Sequence, residues 1–547
     1  MNRPVSKCVN QPRRTALLGA VAATANAAFG LPATAATSRD DAALDLHIEL
    51  RAAPDQVALR RGEPTRVWRY HGKLLRGDPN ALEASGGGYL GPIIRVRRGQ
   101  RVRIELINGL PESTITHWHG LHVPDDMDGH PRFAIEPGER YVYEFTVLNR
   151  AGTYWFHPHP HGRTGKQVYF GLAGLFLVSD DEESALHLPT GEQDIPLVLQ
   201  DRSFDDDNQL VYLNEGVEAA ATPRGGMMGG GGMMGGGMMR GGMMGRGMGG
   251  MMTGMMGMFG DDILVNGRLD PDLAVERRAY RLRLLNGSNS RIYKLAWSDG
   301  QPLTVIGNDG GLLAEPLQRD YVMLAPAERL DVWVDFARWP AGAEPVLRSL
   351  AFESGMAMGG MMGSSALPDG AAFPVLRFRV GNGGAAAAPL PRRLSNVPPV
   401  RPRSAVNFER PKVFDLTMRM MAWGINGKGF EMLATSPLET VKLGTEEVWE
   451  FRNDSMGGMM AMPHSMHVHG MQFRVLGRTT SGRSARGYDG VKAGLVDDGF
   501  KDTVLVMPGE RVRILVRFAD FKGLFLYHCH MLEHEDSGLM RNYRVVA

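Results

Sequence analysis

The sequence predicts an all-β protein made of Greek-key sandwiches or barrels, and three observations carry that expectation. Short runs of Val, Ile, Tyr and Phe alternate with Arg and Glu: "IIRVRRGQRVRIELING", "ERYVYEFTV", "RAYRLRLLNGS", "RLDVWVDF", "EEVWEFRND" and "ERVRILVRF". Side chains alternate across a strand, so runs of period two make half-buried strands. Long stretches with helical periodicity are scarce. Turn signals separate the runs throughout, as sandwiches and barrels require.

At 547 residues and 43% hydrophobic content, the chain is too long for one ordinary core, so two or three domains are expected. Internal repetition favours three. "RRGQRVRIELINGL" at 97–110 resembles "EPGERYVYEFTV" at 136–147 and "MPGERVRILVRF" at 507–518, and "TYWFHPHPH" at 153–161 is similar to "LFLYHCHMLEH" at 524–534. A first and a last domain built alike would flank a middle one. The acidic stretch 179–194 and the Gly/Ala/Pro-rich stretch 381–402 read as links. The domains then cover 42–182, 190–381 and 403–547.

A net charge of +1 argues against nucleic acid as the main partner. The basic cluster that stands out opens the chain. In "QPRRTALLGAVAATANAAFGLPATAAT", Arg13 and Arg14 precede an Ala-rich apolar run and small residues around Ala33 to Ala36. That is the layout of a twin-arginine signal peptide, so residues 1–36 are set aside and a periplasmic, folded-before-export protein is expected. No later stretch has the roughly 18 clean apolar residues of a membrane helix, and a monomer is expected. Cys8 lies in the leader, which leaves Cys529 alone in the mature chain and no internal disulfide. A lone thiol in an oxidising compartment is a liability unless something occupies it.

Four short motifs hold ten of the 16 histidines: "HWHG" at 117–120, "HPH" at 157–159, "HSMHVH" at 464–469 and "HCHMLEH" at 528–534. Residues i and i+2 of a strand face the same side, so each H-x-H presents two imidazoles to one metal or to two adjacent metals. In an extended 527–530, His528 and His530 face one way and Cys529 the other. One Cys with two His suits a blue-copper electron-transfer site, for which His464 and His534 are the natural partners of Cys529. Zinc would not need the eight further histidines, and non-haem iron wants a carboxylate among its ligands, of which these motifs hold one, Glu533, against ten histidines. The eight remaining histidines suit a copper cluster that binds dioxygen.

With these motifs in order, the sequence resembles the multicopper oxidases: laccases, ascorbate oxidase and bacterial periplasmic cuprous oxidases. The resemblance covers essentially the whole mature chain and implies three cupredoxin domains with four copper ions. Type 1 copper would take His464, Cys529 and His534. Type 2 would take His117 and His467. The type 3 pair would take His119, His157, His159, His469, His528 and His530. Substrate electrons would pass from type 1 through Cys529 to reduce dioxygen to water. Asp128 and Glu535 match acids that the family uses near the cluster to supply protons, and His161 would act behind the ligands. The axial type 1 residue stands ten positions after the cysteine in the family, which is Leu539 here, while Met540 stands at eleven. A leucine there leaves copper three-coordinate and raises its potential. A branch of the family has lost its copper ligands and serves cell division; the ten histidines and the cysteine of this chain set it apart.

The resemblance leaves the electron donor open. Between Met227 and Met258 lie 14 of the chain's 34 methionines, within a Gly-rich segment at 225–258, and smaller clusters fall at 355–363 and 455–466. Thioethers are soft ligands for Cu(I), which favours a cuprous oxidase of copper detoxification. Cuprous oxidases carry an Asp four residues before the type 1 histidine of the third motif. Here that position is Met460, with Met462 two residues before His464. Met459, Met460, Met462 and Met466 are the candidates for a substrate copper site. The alternatives are a laccase-type oxidase of phenols or aromatic amines and a non-enzymatic copper buffer.

Overall fold

The computed structural model describes residues 44–547 apart from 86, 213–255, 270, 355–365, 385–388, 420–421, 454–461 and 482. The leader, most of the 225–258 segment, the 355–363 cluster, Met459 and Met460 lie outside the described residues.

The alternating runs are strands. "RVRIELIN" forms Arg101–Asn108, whose Val102, Ile104 and Leu106 are buried while Arg101, Arg103 and Glu105 are partly exposed. Among the described residues the strands make six sheets. They stack in pairs around three large apolar cores, centred on Trp118 and Phe156, on Trp297 and Phe378, and on Trp449 and Tyr527. Parallel neighbours such as Leu46–Val57 with Arg101–Asn108, or Lys412–Arg419 with Thr445–Arg452, require the chain to cross between the sheets of a pair. Among the described residues, the α-helices Thr164–Tyr169, Asp181–Ser184 and Leu532–Asp536 are short. No described helix is long and apolar enough to cross a membrane.

The repeat read between 153–161 and 524–534 is a repeat of topology. One sheet runs Ile93–Arg97, Gly174–Ser179, Gly152–Pro158, Thr116–His119, and another runs Thr440–Lys442, Met540–Val546, Gly523–Cys529, His464–Val468. Each has the same parallel and antiparallel pairings in the same order. The strands Thr116–His119, Gly152–Pro158 and His464–Val468 are buried on both faces. One face packs on the domain's own core, and the other meets the opposite domain. That is why these strands read as unbroken apolar and His runs. The 381–402 stretch does not float. Leu394 is buried against Leu312, and Ser395 Oγ donates to the carbonyls of Leu312 and Leu313.

Candidate metal centre

The register of two strand pairs assembles the histidines. His117 lies opposite His157, and His467 lies opposite His528, so each pair of motifs shares one face of its sheet. The two faces meet between the first and third domains. His117 Nε2 stands 3.4 Å from His467 Nε2, His159 Nε2 is 3.4 Å from His528 Nε2, and His530 Nε2 is 3.3 Å from His157 Nε2. His469 Nε2 is 3.0 Å from His528 Nε2, and His119 stacks on His467 with ring centroids 3.7 Å apart. All eight are fully or almost fully buried.

Backbone carbonyls fix how the rings point. Nδ1 of His117 donates to the Asp128 carbonyl at 2.6 Å, that of His467 to Asp502 at 2.8 Å, that of His157 to Pro158 at 2.9 Å and that of His528 to Cys529 at 3.1 Å. A proton on Nδ1 leaves the Nε2 lone pair free and aimed inward.

The cysteine turns the other way. Met466 and Cys529 are cross-strand partners, and their side chains enter the apolar core of the third domain. Cys529 Sγ lies 3.5 Å from His464 Nδ1 and 3.7 Å from His534 Nδ1, and it accepts the Met531 N–H at 3.4 Å. Trp423 packs against both rings, with centroids 4.9 Å from His464 and 4.7 Å from His534. Alternation also separates the two axial candidates. Leu539 shares the apolar core with Cys529, whereas Met540 lies opposite His528 on the next strand and so turns to the other face.

Two acids expected near the cluster are there. Asp128 is fully buried, and its Oδ2 accepts Nδ1–H of His469 at 2.7 Å. Burial, reinforced by the charge of Asp125, pushes its carboxyl well above the usual carboxylate range. The turn that carries it needs Gly129: φ is +84°, and a Cβ there would stand 2.1 Å from the Thr116 carbonyl oxygen. Glu535 Oε2 is 3.0 Å from His528 Nδ1. Burial works against its charge, but the imidazoles of His159 and His528 outweigh burial and hold the carboxyl well below the usual range.

Other placements depart from expectation. His161 is exposed, and its ring leans on Phe430 at 4.9 Å rather than backing the buried histidines. Met466 is wholly enclosed in the core, which removes it as a surface ligand; Met462 is buried beside it. Asp502 was not singled out from the sequence. Its Oδ1 lies 3.1 Å from His119 Nε2, its carbonyl holds His467, and Arg329 of the second domain grips it through two N–H groups at 2.7 and 2.5 Å. Burial raises its carboxyl and Arg329 more than offsets that, so Asp502 stays ionised. A lone Asp in "FKDTV" carries no motif, so only the fold reveals it.

The donors suit copper. Burial lowers the pKa of His117, His119, His464, His467, His469 and His530 well below that of free imidazole, and that of His157 and His159 to about 3 and about 4. These rings are neutral and able to ligate. The Nδ1 atoms of His119, His159 and His530 are buried without a hydrogen-bond partner among the described residues. Burial pushes the Cys529 thiol up to about 12, so a cation is what would hold it as thiolate. Neutral imidazoles plus one thiolate, with no carboxylate grouped with the sulfur among the described residues, favour copper over iron, manganese or magnesium.

Comparison with known proteins agrees. Family models described as "Multicopper oxidase" match residues 69–183 and 405–547. A laccase of Bacillus stratosphericus is 31% identical over 525 residues, covering 88% of this chain and 91% of that one. The crystal structure of McoA multicopper oxidase from Aquifex aeolicus superposes with a TM-score of 0.72 at 34% identity, over 92% of this chain and 96% of that one. A multicopper oxidase from Campylobacter jejuni, named a metallo-oxidase, gives 0.67 at 26% identity over 91% of each chain. The paired sheets are therefore three cupredoxin-like domains. With the histidines and the cysteine gathered between and within them, the chain belongs to the multicopper oxidases and is an oxidoreductase.

Proposed function

We propose that this chain is a four-copper oxidase whose electron donor is Cu(I), with dioxygen as the acceptor. His464, Cys529 and His534 would hold type 1 copper, His117 and His467 type 2, and His119, His157, His159, His469, His528 and His530 the type 3 pair. Bound copper would supply one-electron oxidation of the donor and four-electron reduction of dioxygen to water. One stretch of chain joins the two ligand sets, since Cys529 is bonded directly to His528 and His530. It also keeps water from the buried rings, and it positions two carboxyls of opposite character. Asp128 is suited to keep a proton at Oδ1 while Oδ2 accepts from His469, and Glu535 to hold a charge at Oε2 beside His528.

The observation that carries Cu(I) as the donor is the methionine distribution, with 14 of 34 between Met227 and Met258. Met258, its last residue, and Tyr212, ahead of it, bear on the type 1 side: the Tyr212 hydroxyl and the Met258 N–H both donate to Glu533, the residue before His534. The metallo-oxidase of Campylobacter jejuni supports the same reading. The second reading, a laccase-type oxidase of phenols or aromatic amines, is supported by the laccase of Bacillus stratosphericus. Turnover of Cu(I) and of a phenol, measured with and without residues 225–258, separates them. Selective loss of Cu(I) oxidation is expected; intact Cu(I) oxidation would remove the main support for Cu(I). The paired arginines support export to the periplasm. Loss of periplasmic protein on replacing Arg13 and Arg14 with lysine tests that.

A further inference from the structure

The five-residue helix Leu532–Asp536 is a junction of all three domains. It has no side-chain N-cap and is far too short to hold its own position. Its successive side chains go to different places. His534 faces Cys529, and Glu535 faces His528 and His159. Asp536 accepts the backbone N–H groups of Thr164 and Gly165 in the first domain, at 3.0 and 2.8 Å.

Glu533 accepts four hydrogen bonds, two on each oxygen. Oε1 takes the Tyr212 hydroxyl at 3.0 Å and Asn289 Nδ2 at 2.7 Å. Oε2 takes the Met258 N–H at 3.0 Å and Ser290 Oγ at 2.7 Å. The backbone adds a fifth link, from Leu532 N–H to the Asn289 carbonyl at 3.1 Å. The Asn289–Ser290 pair is itself braced by Arg291, which donates to Asp201 at 2.8 Å and to the carbonyls of Gly260 and Leu367, both at 2.8 Å. Gly165 marks how tight the junction is: a Cβ there would meet the Tyr212 hydroxyl at 2.4 Å, Asp536 at 3.1 Å and Glu533 at 3.2 Å.

We propose that Glu533 is a positioning residue: its buried carboxylate fastens Tyr212 and Met258, which lie on either side of residues 213–255, and the Asn289–Ser290 pair of the second domain, to the turn that carries His534, and so sets the orientation of the His534 ring against Cys529. The inference rests on the reading of His464, Cys529 and His534 as a type 1 copper site.

The test uses the copper-loaded full chain. Wild type, Glu533→Gln, Tyr212→Phe and a chain with 213–255 replaced by a short Gly/Ser linker are compared by the visible Cys–copper band, the type 1 potential and the thermal midpoint. All three variants should shift the band and the potential, with Tyr212→Phe shifting them least. Glu533→Gln combined with the linker should shift them less than the sum of the two, because both act through one junction. A Glu533→Gln protein with a lower midpoint but a wild-type band and potential would reduce Glu533 to fold support and overturn the proposal. Should that variant fail to fold, Tyr212→Phe, which removes a single hydroxyl, decides by the same criterion. A wild type without the band would overturn the type 1 reading and this inference together, whereas a wild-type band left unmoved in the variants overturns this inference alone.

Discussion

Met466 and Cys529 face each other across adjacent antiparallel strands, one step out of phase with His467 and His528. That single register serves two sites. The even step sends sulfur into the apolar core of the third domain, and the odd step sends imidazoles to the seam with the first domain. A slip of one residue would exchange the two faces, so the burial of both fixes the register.

Cys529→Ser should remove the strong visible band of the copper-loaded protein and lower oxidase turnover by more than ~100-fold, since even loss of an outer partner of a metal ligand costs about 10- to 100-fold. Absorption and oxygen consumption on the same sample check it. A copper buffer without redox function would be indifferent to the change.

Leu539→Met should lower the type 1 potential by adding a weak axial ligand, while Met540→Leu should leave the band in place, because Met540 lies on the His528 face. Redox titration of the two variants decides. A band moved by Met540→Leu and not by Leu539→Met would reverse the assignment.

Asp128→Asn and Glu535→Gln should each lower turnover by roughly 10²- to 10⁴-fold, the range for a positioned proton donor or acceptor. Copper content should stay near wild type. Burial raises Asp128 while His159 and His528 depress Glu535, so the two changes should remove different limbs of the pH–rate profile. Coincident profiles would show that the two acids do not divide the work.

Arg329→Met leaves Asp502 buried and unpaired, which should cost about 3–5 kcal/mol of stability. Asp502 also holds His119 and His467, so loss of metal from that part of the cluster should accompany it. Denaturant titration and metal analysis measure the two effects.

The copper-free chain should lose stability in acid. Its buried histidines have lowered pKa values, about 3 for His157 and about 4 for His159, whereas free imidazole titrates near 6.5. The folded chain thus binds fewer protons than the unfolded chain in that interval. The contribution is complete above about pH 6.5 and is lost as pH falls toward the folded values. Thermal midpoints of the copper-free protein should drop between about pH 7 and pH 4, and copper should raise the midpoint at neutral pH by binding only the folded chain.

Strand runs, the H-x-H pairs and the opposed facing of Cys529 were legible because their signals are local. Period two puts His117 with His119 and opposes Cys529 to its neighbours whatever the rest of the chain does. The count to Leu539 came instead from the resemblance, and the strand register puts Leu539 in the core with Cys529 and Met540 opposite His528. Asp502, Arg329 and Glu533 were not legible in their roles. Each acts across a domain boundary, Arg329 on a residue 173 positions away and Glu533 on Tyr212 at 321, and no spacing rule links such positions.

The sequence by itself therefore determined which histidines and which cysteine stand on which face of each strand, and that the fold is all-β. Tertiary structure decided what surrounds them. It set His161 out toward solvent and enclosed Met466 in the core, and it put Arg329 under Asp502 and gathered Tyr212, Met258, Asn289 and Ser290 on Glu533. The physical reason is that strand periodicity is a property of the local backbone. The burial of a charge and the count of its partners depend instead on which domains meet.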